Sequence, residues 1–351
     1  MMVTSCGSGK SNKNAETVTD TVTPAQSLIT RLDSVAKSGH YYFGHHDDTA
    51  YGHTWKYVDG ASDVKGVTGQ YPGLMSWDLG LIEVDSANNL DGVPFSFIAS
   101  EIAKQHARGG VNAISWHTLN PMSGGGSWDV SATPLHNLGE GSAVSDTMKV
   151  WIDRAAAFIA SLKDSEGNPI PVIFRPWHEN SGSWFWWGKD HSTPEEYIEL
   201  WKMTRAGFDA RGIDNVVWAY SPDKDLTREE YFSTYPGDEY VDIIGEDIYP
   251  GKHVYTSQAA RFIKALSYTD TRKLITLSEN GCIPDPEQLV RDNIMWSYWC
   301  VWEGEFVLKA AGFNNYSEQY TEKNMLKKAY KSDTVITRKE LPDLRNYPLG
   351  D

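Results

Sequence analysis

The sequence predicts a single (β/α)8 TIM barrel, an α/β fold, on two observations. Eight short β-rich runs alternate with segments of helical patterning over most of the chain. No Gly-rich dinucleotide turn follows an early run, although the competing open, doubly wound sheet would need one. Alternation of strand and helix repeated eight times is the pattern of a closed barrel.

The eight predicted strands are runs rich in β-branched and aromatic residues. They span residues 41–46, 74–80, 111–117, 171–177, 215–221, 241–249, 273–279 and 296–302.

Amphipathic segments between these runs predict helices at 27–38, 95–109, 146–164 and 193–212, with a final helix at 317–332. The clearest start is at Thr193, an N-cap residue followed by Pro194 at the first helical position and by glutamates in the first turn. Residues 118–145 are rich in Gly, Ser and His and predict an enlarged loop after strand three. Loops after barrel strands form the active face.

Composition excludes some classes of partner. The net charge of −15 argues against nucleic acid and against an anionic membrane surface, since both require a basic patch. No apolar run is long enough to span a bilayer. The 14 Trp and 18 Tyr are unusually many, and flat aromatic faces suit sugar rings as well as a protein core. We expect a monomer.

The N-terminal segment, residues 1–23, is polar and predicts a disordered tether ahead of a catalytic domain at 24–351. Its VTSC run resembles the cleavage box of a bacterial lipoprotein, in which the cysteine, here Cys6, becomes acylated. Only five residues precede Cys6, so we expect that the export signal is truncated in this chain. The expected location is the periplasm or the cell surface. Cys282 and Cys300 are expected to be free buried thiols, with a disulfide between them as the alternative.

Two glutamates stand at strand ends that face each other across a barrel mouth. Glu179 ends strand four within RPWHEN, and Glu279 ends strand seven within TLSENG. Two carboxyl groups about 5–5.5 Å apart are the apparatus of a retaining glycosidase, one as nucleophile and one as acid/base. The aromatic run 184–187 could raise the pKa of the acid by desolvation and offer a sugar platform. Carboxyl chemistry of this kind requires no cofactor.

Other strand ends carry weaker candidates, each of which could equally be structural. The run HHDD at 45–48 could bind a metal, but adjacent positions on an extended segment point in opposite directions, so we predict no metal site. Candidates for substrate binding are His178 beside the acid, His117, Asp247, Tyr249 and, as a pocket floor, Trp299.

The chain resembles glycoside hydrolase family 26, whose members are mostly β-mannanases on (β/α)8 barrels. The segments that carry the resemblance are FGHHDDTAYGHTW, SWHTLNP, RPWHENSGSWFWWG, GEDIYPG, LSENG and YWCVW, in this order from residue 43 to residue 302.

The resemblance implies that Glu179 is the acid/base and Glu279 the nucleophile. It implies substrate-binding roles for His178, Trp184, His117, Trp128, Asp247, Tyr249 and Trp299. The chain departs from the family pattern at Glu246, a third carboxylate near the site. It also departs at Cys300 and Val301, where some members have a substrate-binding arginine.

The expected activity is therefore hydrolysis of β-1,4-mannosidic bonds in mannan, glucomannan or galactomannan, with retention of anomeric configuration. One alternative is the same barrel acting on mixed-linkage glucan or β-1,3-xylan. A more remote one is a non-catalytic glycan-binding surface lipoprotein, which would have no need of the paired carboxylates.

Overall fold

The structure is a computed structural model that describes residues 22–223, 226–302 and 320–336. The predicted tether up to residue 21, with Cys6, lies outside the described residues, as does the start of the predicted final helix.

Eight parallel strands close into a barrel, which confirms the predicted fold. The strands are β1 Tyr41–His46, β2 Leu74–Asp78, β3 Val111–Trp116, β4 Val172–Pro176, β5 Val216–Tyr220, β6 Ile243–Ile248, β7 Leu274–Asn280 and β8 Tyr298–Val301, and they are followed by a short ninth strand, β9 Val335–Ile336. Each barrel strand pairs with the next along the chain, and β1 pairs with both β2 and β8. The ninth strand, β9, pairs with the amino-terminal end of β1, at Tyr41 and Tyr42.

Helices connect the strands. They are α1 Pro24–Lys37, α2 Asp63–Thr68, α3 Phe95–Ala107, α4 Ala143–Ser161, α5 Pro194–Ala210, α6 Arg228–Thr234, α7 Ala259–Ala265, α8 Pro286–Asp292 and α9 Lys323–Lys331. Within the described part of the chain, none is long and apolar enough to cross a bilayer.

The predicted start of α5 is confirmed. The Thr193 hydroxyl accepts a hydrogen bond from the Glu196 amide, and the Glu196 carboxylate accepts one from the Thr193 amide at 2.8 Å. This reciprocal capping box satisfies two amides that have no partner within the helix.

Side chains alternate along the strands between two apolar layers. Those that point outward, among them Trp77 and Trp218, pack against the helices, and α4 contributes Trp151 to the same layer. Those that point inward fill the barrel together with Leu28, Leu32 and Val35 of α1. α1 therefore covers the amino-terminal end of the barrel and leaves the carboxyl ends of the strands open. Cys282 and Cys300 are buried and free.

Candidate active site

A cleft of about 440 Å³ opens at the carboxyl ends of the strands. Both predicted catalytic carboxylates, Glu179 and Glu279, line it. A larger groove of about 810 Å³ lies on the outside of the barrel along α4 and α5, but no strand-end residue reaches it. The cleft is lined by Leu90, Asp91, His117, Trp128, Glu179, Trp184, Phe185, Asp223, Tyr249, Glu279 and Trp302.

Glu179 is held at a sharp turn after β4. Its φ is 56° and that of Trp177 is 53°, a left-handed conformation that residues other than glycine rarely adopt. The Glu179 amide donates to the carbonyl of Ser221 at 2.7 Å, and the Trp184 indole donates to Glu179 Oε2 at 2.7 Å. The turn and the indole together fix the direction of the carboxyl group.

The surroundings of Glu179 favour its protonated form. Burial raises its pKa well above the ordinary value, and the negative charges of Glu279 and Asp247 raise it further. Arg175 opposes this shift without reversing it. A carboxyl group that keeps its proton near neutral pH can act as a general acid.

Glu279 is held by two donors, one at each oxygen. The Tyr249 hydroxyl donates to Oε1, and the guanidinium of Arg175 donates to Oε2. The two contacts fix the plane of a carboxylate that is 6% exposed within the cleft. Glu179 and Glu279 thus share a cleft but differ in surroundings, one beside an indole and the other beside a cation.

Arg175 is a functional residue that the sequence reasoning missed. Its Nη1 donates to Asp247 Oδ2 at 2.8 Å and to the Ser221 hydroxyl at 3.2 Å. Ser278 donates to the other oxygen of Asp247 at 2.5 Å. Asp247 therefore lies beneath the nucleophile as a partner of the arginine. The sequence did contain a signal for this residue, because Arg175 is a charged residue in an apolar strand at a position whose side chain points into the barrel.

A buried chain of three residues runs beneath the acid/base. His117 Nδ1 lies 2.7 Å from Asp78 Oδ2, and His117 Nε2 lies 3.1 Å from His178 Nε2. Burial acts to lower the pKa of His117, but Asp78 outweighs it and the net pKa is raised. Burial and Arg175 hold the pKa of His178 well below its ordinary value. The contact therefore joins one imidazole whose pKa is raised to another whose pKa is lowered.

The aromatic run after β4 divides between two places. Trp184 and Phe185 line the cleft, whereas Trp186 and Trp187 are fully buried in the core. These four residues do not form a strand, so their side chains do not alternate. The first two face the cleft and the last two face the core. Only the first half of the run can contact a ligand.

Two further tryptophans present ring faces to the cleft. Trp128, from the loop after β3, is 56% exposed and stacks on His117 with ring centroids 5.4 Å apart. Trp302 stacks on His46 with ring centroids 4.0 Å apart. Exposed aromatic faces of this kind suit the apolar faces of sugar rings.

The placement of Trp299 in the pocket was wrong. Trp299 is fully buried and packs against Tyr41, with ring centroids 4.7 Å apart. Alternation explains the error: Tyr298 and Cys300 point into the barrel, so Trp299 points outward to the helices. Trp302 lines the cleft in its place.

Glu246 does not act as a third carboxylate in the cleft. It is 1% exposed and accepts hydrogen bonds from Arg261 of α7. Burial raises its pKa to about 8, although Arg261 acts to lower it. Its neighbour Asp247 points the other way, toward Arg175, as alternation along β6 requires.

The remaining predicted residues lie at the cleft or next to it. His117, Trp128, Trp184 and Tyr249 line the cleft, and His178 contacts His117. Asp247 is linked to the cleft through Arg175, which also pairs with Glu279. Substrate contact by these side chains stays a prediction.

Comparisons with known proteins agree with this geometry. The model of Glycosyl hydrolase family 26 matches residues 18–340. The structure resembles that of a GH26 beta-mannanase from Bacteroides ovatus, with 36% identity, a TM-score of 0.81, and coverage of 93% of this chain and 98% of that one.

Two curated relatives are named mannan endo-1,4-beta-mannosidase. The protein from Bifidobacterium adolescentis is 33% identical over 69% of this chain, and the one from Bacillus subtilis is 32% identical over 68%. The matched regions make up 25% and 65% of those proteins, so the chain spans about a quarter of the first. The family match extends over nearly the whole barrel and includes both carboxylates. The chain belongs to glycosyl hydrolase family 26.

Proposed function

We propose that the chain hydrolyses β-1,4-mannosidic bonds in mannan, glucomannan or galactomannan with retention of anomeric configuration. One observation carries the chemistry: Glu179 and Glu279 line one cleft in opposite surroundings. Two carboxyl groups in these environments are what double displacement requires. The choice of mannan rests on the names of the relatives.

In the first step a Glu279 oxygen attacks the anomeric carbon while Glu179 gives its proton to the leaving glycosidic oxygen. The glycosidic bond breaks and an ester forms between the sugar and Glu279. In the second step Glu179 takes a proton from water as the water oxygen attacks the same carbon. The ester bond breaks, the Glu279 carboxylate is restored, and Glu179 is protonated again. Both proton transfers and the covalent step are carried by protein carboxyl groups.

The substrate is tested by reducing-sugar release from mannan, glucomannan, lichenan and β-1,3-xylan. The proposal expects turnover of the first two. Faster release of reducing sugar from lichenan or β-1,3-xylan would show that the substrate is a β-glycan other than mannan. Binding of these polymers without any product would identify a non-catalytic glycan-binding protein. A time course with mannohexaose then distinguishes endo from exo cleavage.

The two carboxylates are tested by Glu179→Ala and Glu279→Ala, with Glu140→Ala in the enlarged loop as a control, since Glu140 is exposed. Each active-site change should lower kcat by orders of magnitude while the circular dichroism spectrum is unchanged. The control should retain wild-type kcat. Substantial activity in either active-site variant would remove that residue from the mechanism.

We also propose that the chain is an exported monomer anchored by a lipid at Cys6, as VTSC suggests. The test fuses an export signal ahead of Val3 in a bacterial host and measures the intact mass and the membrane fraction. An acyl mass that is lost in Cys6→Ala supports the anchor, and an unmodified mass contradicts it. Light scattering of the unlipidated chain should give about the monomer mass, 39.3 kDa.

A further inference from the structure

A second cluster of ionisable side chains lies at one end of the cleft, apart from the catalytic pair. His46 and Asp47 stand at the end of β1, and Asp91 comes from the loop between β2 and α3. One ring nitrogen of His46 and one oxygen of each carboxylate all lie within 4.8 Å of one another. His46 and Asp47 are buried, and Asp91 is half-buried where it lines the cleft.

The backbone explains why neighbouring residues converge here. On an extended strand His46 and Asp47 would point in opposite directions, which was the sequence argument against a metal at this run. Asp47 instead has a φ of 51°, and its amide donates to the Ser76 carbonyl at 2.9 Å. The strand therefore ends at His46, and the next side chain turns to the same side.

One tautomer of His46 presents a nitrogen lone pair to this cluster. Its Nδ1 lies 2.7 Å from the Ser76 hydroxyl, and its ring stacks on Trp302 at 4.0 Å. When Nδ1–H donates to Ser76, Nε2 keeps a lone pair, which is the ligand form of a neutral imidazole. Nε2 is fully buried and makes no hydrogen bond with any described residue. A hydrogen bond to a fixed partner at the other ring nitrogen is the usual arrangement around a metal-bound histidine.

The spacing of His46 and Asp47 is that of atoms that share an ion. His46 Nε2 and Asp47 Oδ1 are 3.8 Å apart, beyond hydrogen-bond distance. Ligand nitrogen and oxygen atoms lie about 2.0–2.2 Å from Zn²⁺ at roughly tetrahedral angles, which separates them by about 3–4 Å. One imidazole with two carboxylates is a donor set for borderline transition ions, whereas Ca²⁺ and Mg²⁺ prefer oxygen alone.

We propose that His46, Asp47 and Asp91 bind one divalent transition-metal cation of the Zn²⁺ or Mn²⁺ type. The ion would join the end of β1 to the loop that carries Leu90 and Asp91, and both of these residues line the cleft. Its role is to fix one end of the cleft, because the catalytic carboxylates are not among its ligands. The proposal does not depend on which glycan the cleft accepts.

The test measures binding directly on the full chain, freed of any histidine tag and treated with EDTA. Equilibrium dialysis against Zn²⁺, Mn²⁺ and Ca²⁺ is followed by elemental analysis. We expect about one equivalent of Zn²⁺ or Mn²⁺, much weaker binding of Ca²⁺, and a loss of affinity of about tenfold or more in Asp47→Asn and in Asp91→Asn. Asp223→Asn is the matched control, since Asp223 is a half-buried carboxylate of the same cleft outside the cluster.

Either of two results would overturn the site: no stoichiometric Zn²⁺ or Mn²⁺, or binding that is unchanged in both cluster variants. Circular dichroism checks that each variant is folded. Asp91 is half-buried on a loop, so Asp91→Asn carries the test if Asp47→Asn fails to fold. Anomalous diffraction from crystals soaked in Zn²⁺ should place the ion beside His46 Nε2, and an ion elsewhere would count against the proposal.

Discussion

Replacing Arg175 with methionine should destabilise the folded protein by about 3–5 kcal/mol at pH 7, the usual cost of leaving buried carboxylates without their cation. Arg175 is 5% exposed, and it pairs with Asp247 at 2.8 Å and with Glu279. Methionine replaces the aliphatic stem of the arginine but lacks its guanidinium and donates no hydrogen bond. The loss is a large fraction of a typical total stability of about 5–15 kcal/mol.

The same change should make stability depend on pH in a defined direction. Burial raises the pKa of Asp247 to about 7, although Arg175 acts to lower it. Without the arginine this pKa rises further above its unfolded value. A group with a raised folded pKa opposes folding when ionised, so the deficit of the variant should shrink as the pH falls from 7 to 5.

Arg211→Met is the matched control. Arg211 pairs with Asp153 at 2.6 Å, but both side chains are substantially exposed, so the loss should be at most about 1 kcal/mol. The assay is urea unfolding of wild type and both variants at pH 7 and pH 5. Equal losses for the two arginines, or a deficit for Arg175→Met that does not change with pH, would refute the account of the buried network.

Three further predictions concern the cleft. Asp78→Asn should lower kcat/KM by about tenfold or more, because it removes the negative charge beside His117. A kcat/KM equal to that of the wild type would contradict this. Trp302→Ala should lower kcat/KM with little change in Tm, because Trp302 lines the cleft. Trp299→Ala should instead cost about 3–5 kcal/mol of stability, because Trp299 is buried. The reverse pattern would show that Trp299, and not Trp302, belongs to the pocket. Because the pKa of Glu179 is raised, activity should persist through neutral pH as the pH rises and should fall where this carboxyl loses its proton. A kcat/KM that already falls as the pH rises past about 5 would contradict the raised pKa of Glu179.

The barrel and its two carboxylates could be predicted from the sequence because both follow from local pattern. Apolar runs with intervening helices specify strands, and a parallel barrel brings all strand ends to one face. Because Glu179 and Glu279 lie at the ends of β4 and β7, their sequence positions alone predicted that both lie at the same end of the barrel.

The partners of these carboxylates could not be predicted in the same way. Arg175 reaches Glu279 across 104 positions of sequence, and Asp78 reaches His117 across 39. Such contacts depend on the side to which each strand position points and on the distance across the barrel. Local pattern indicates the side but not the partner.

Errors occurred where the backbone leaves regular geometry or where a strand boundary matters. Trp299 and Trp302 lie in the same predicted strand, and only the alternation seen in the structure distinguishes the buried ring from the one in the cleft. The positive φ of Asp47 turns two adjacent residues to the same side, which a strand pattern does not predict.

The most direct test of the mechanism is covalent trapping of the nucleophile. A 2-deoxy-2-fluoro-mannosyl fluoride should form an ester with Glu279 and release the fluoride at C1. The ester should persist, because the fluorine at C2 slows its hydrolysis. Peptide mapping by mass spectrometry should then find one sugar on the peptide that contains Glu279. A sugar on a different carboxylate would contradict the assignment of Glu279 as the nucleophile of a retaining hydrolase.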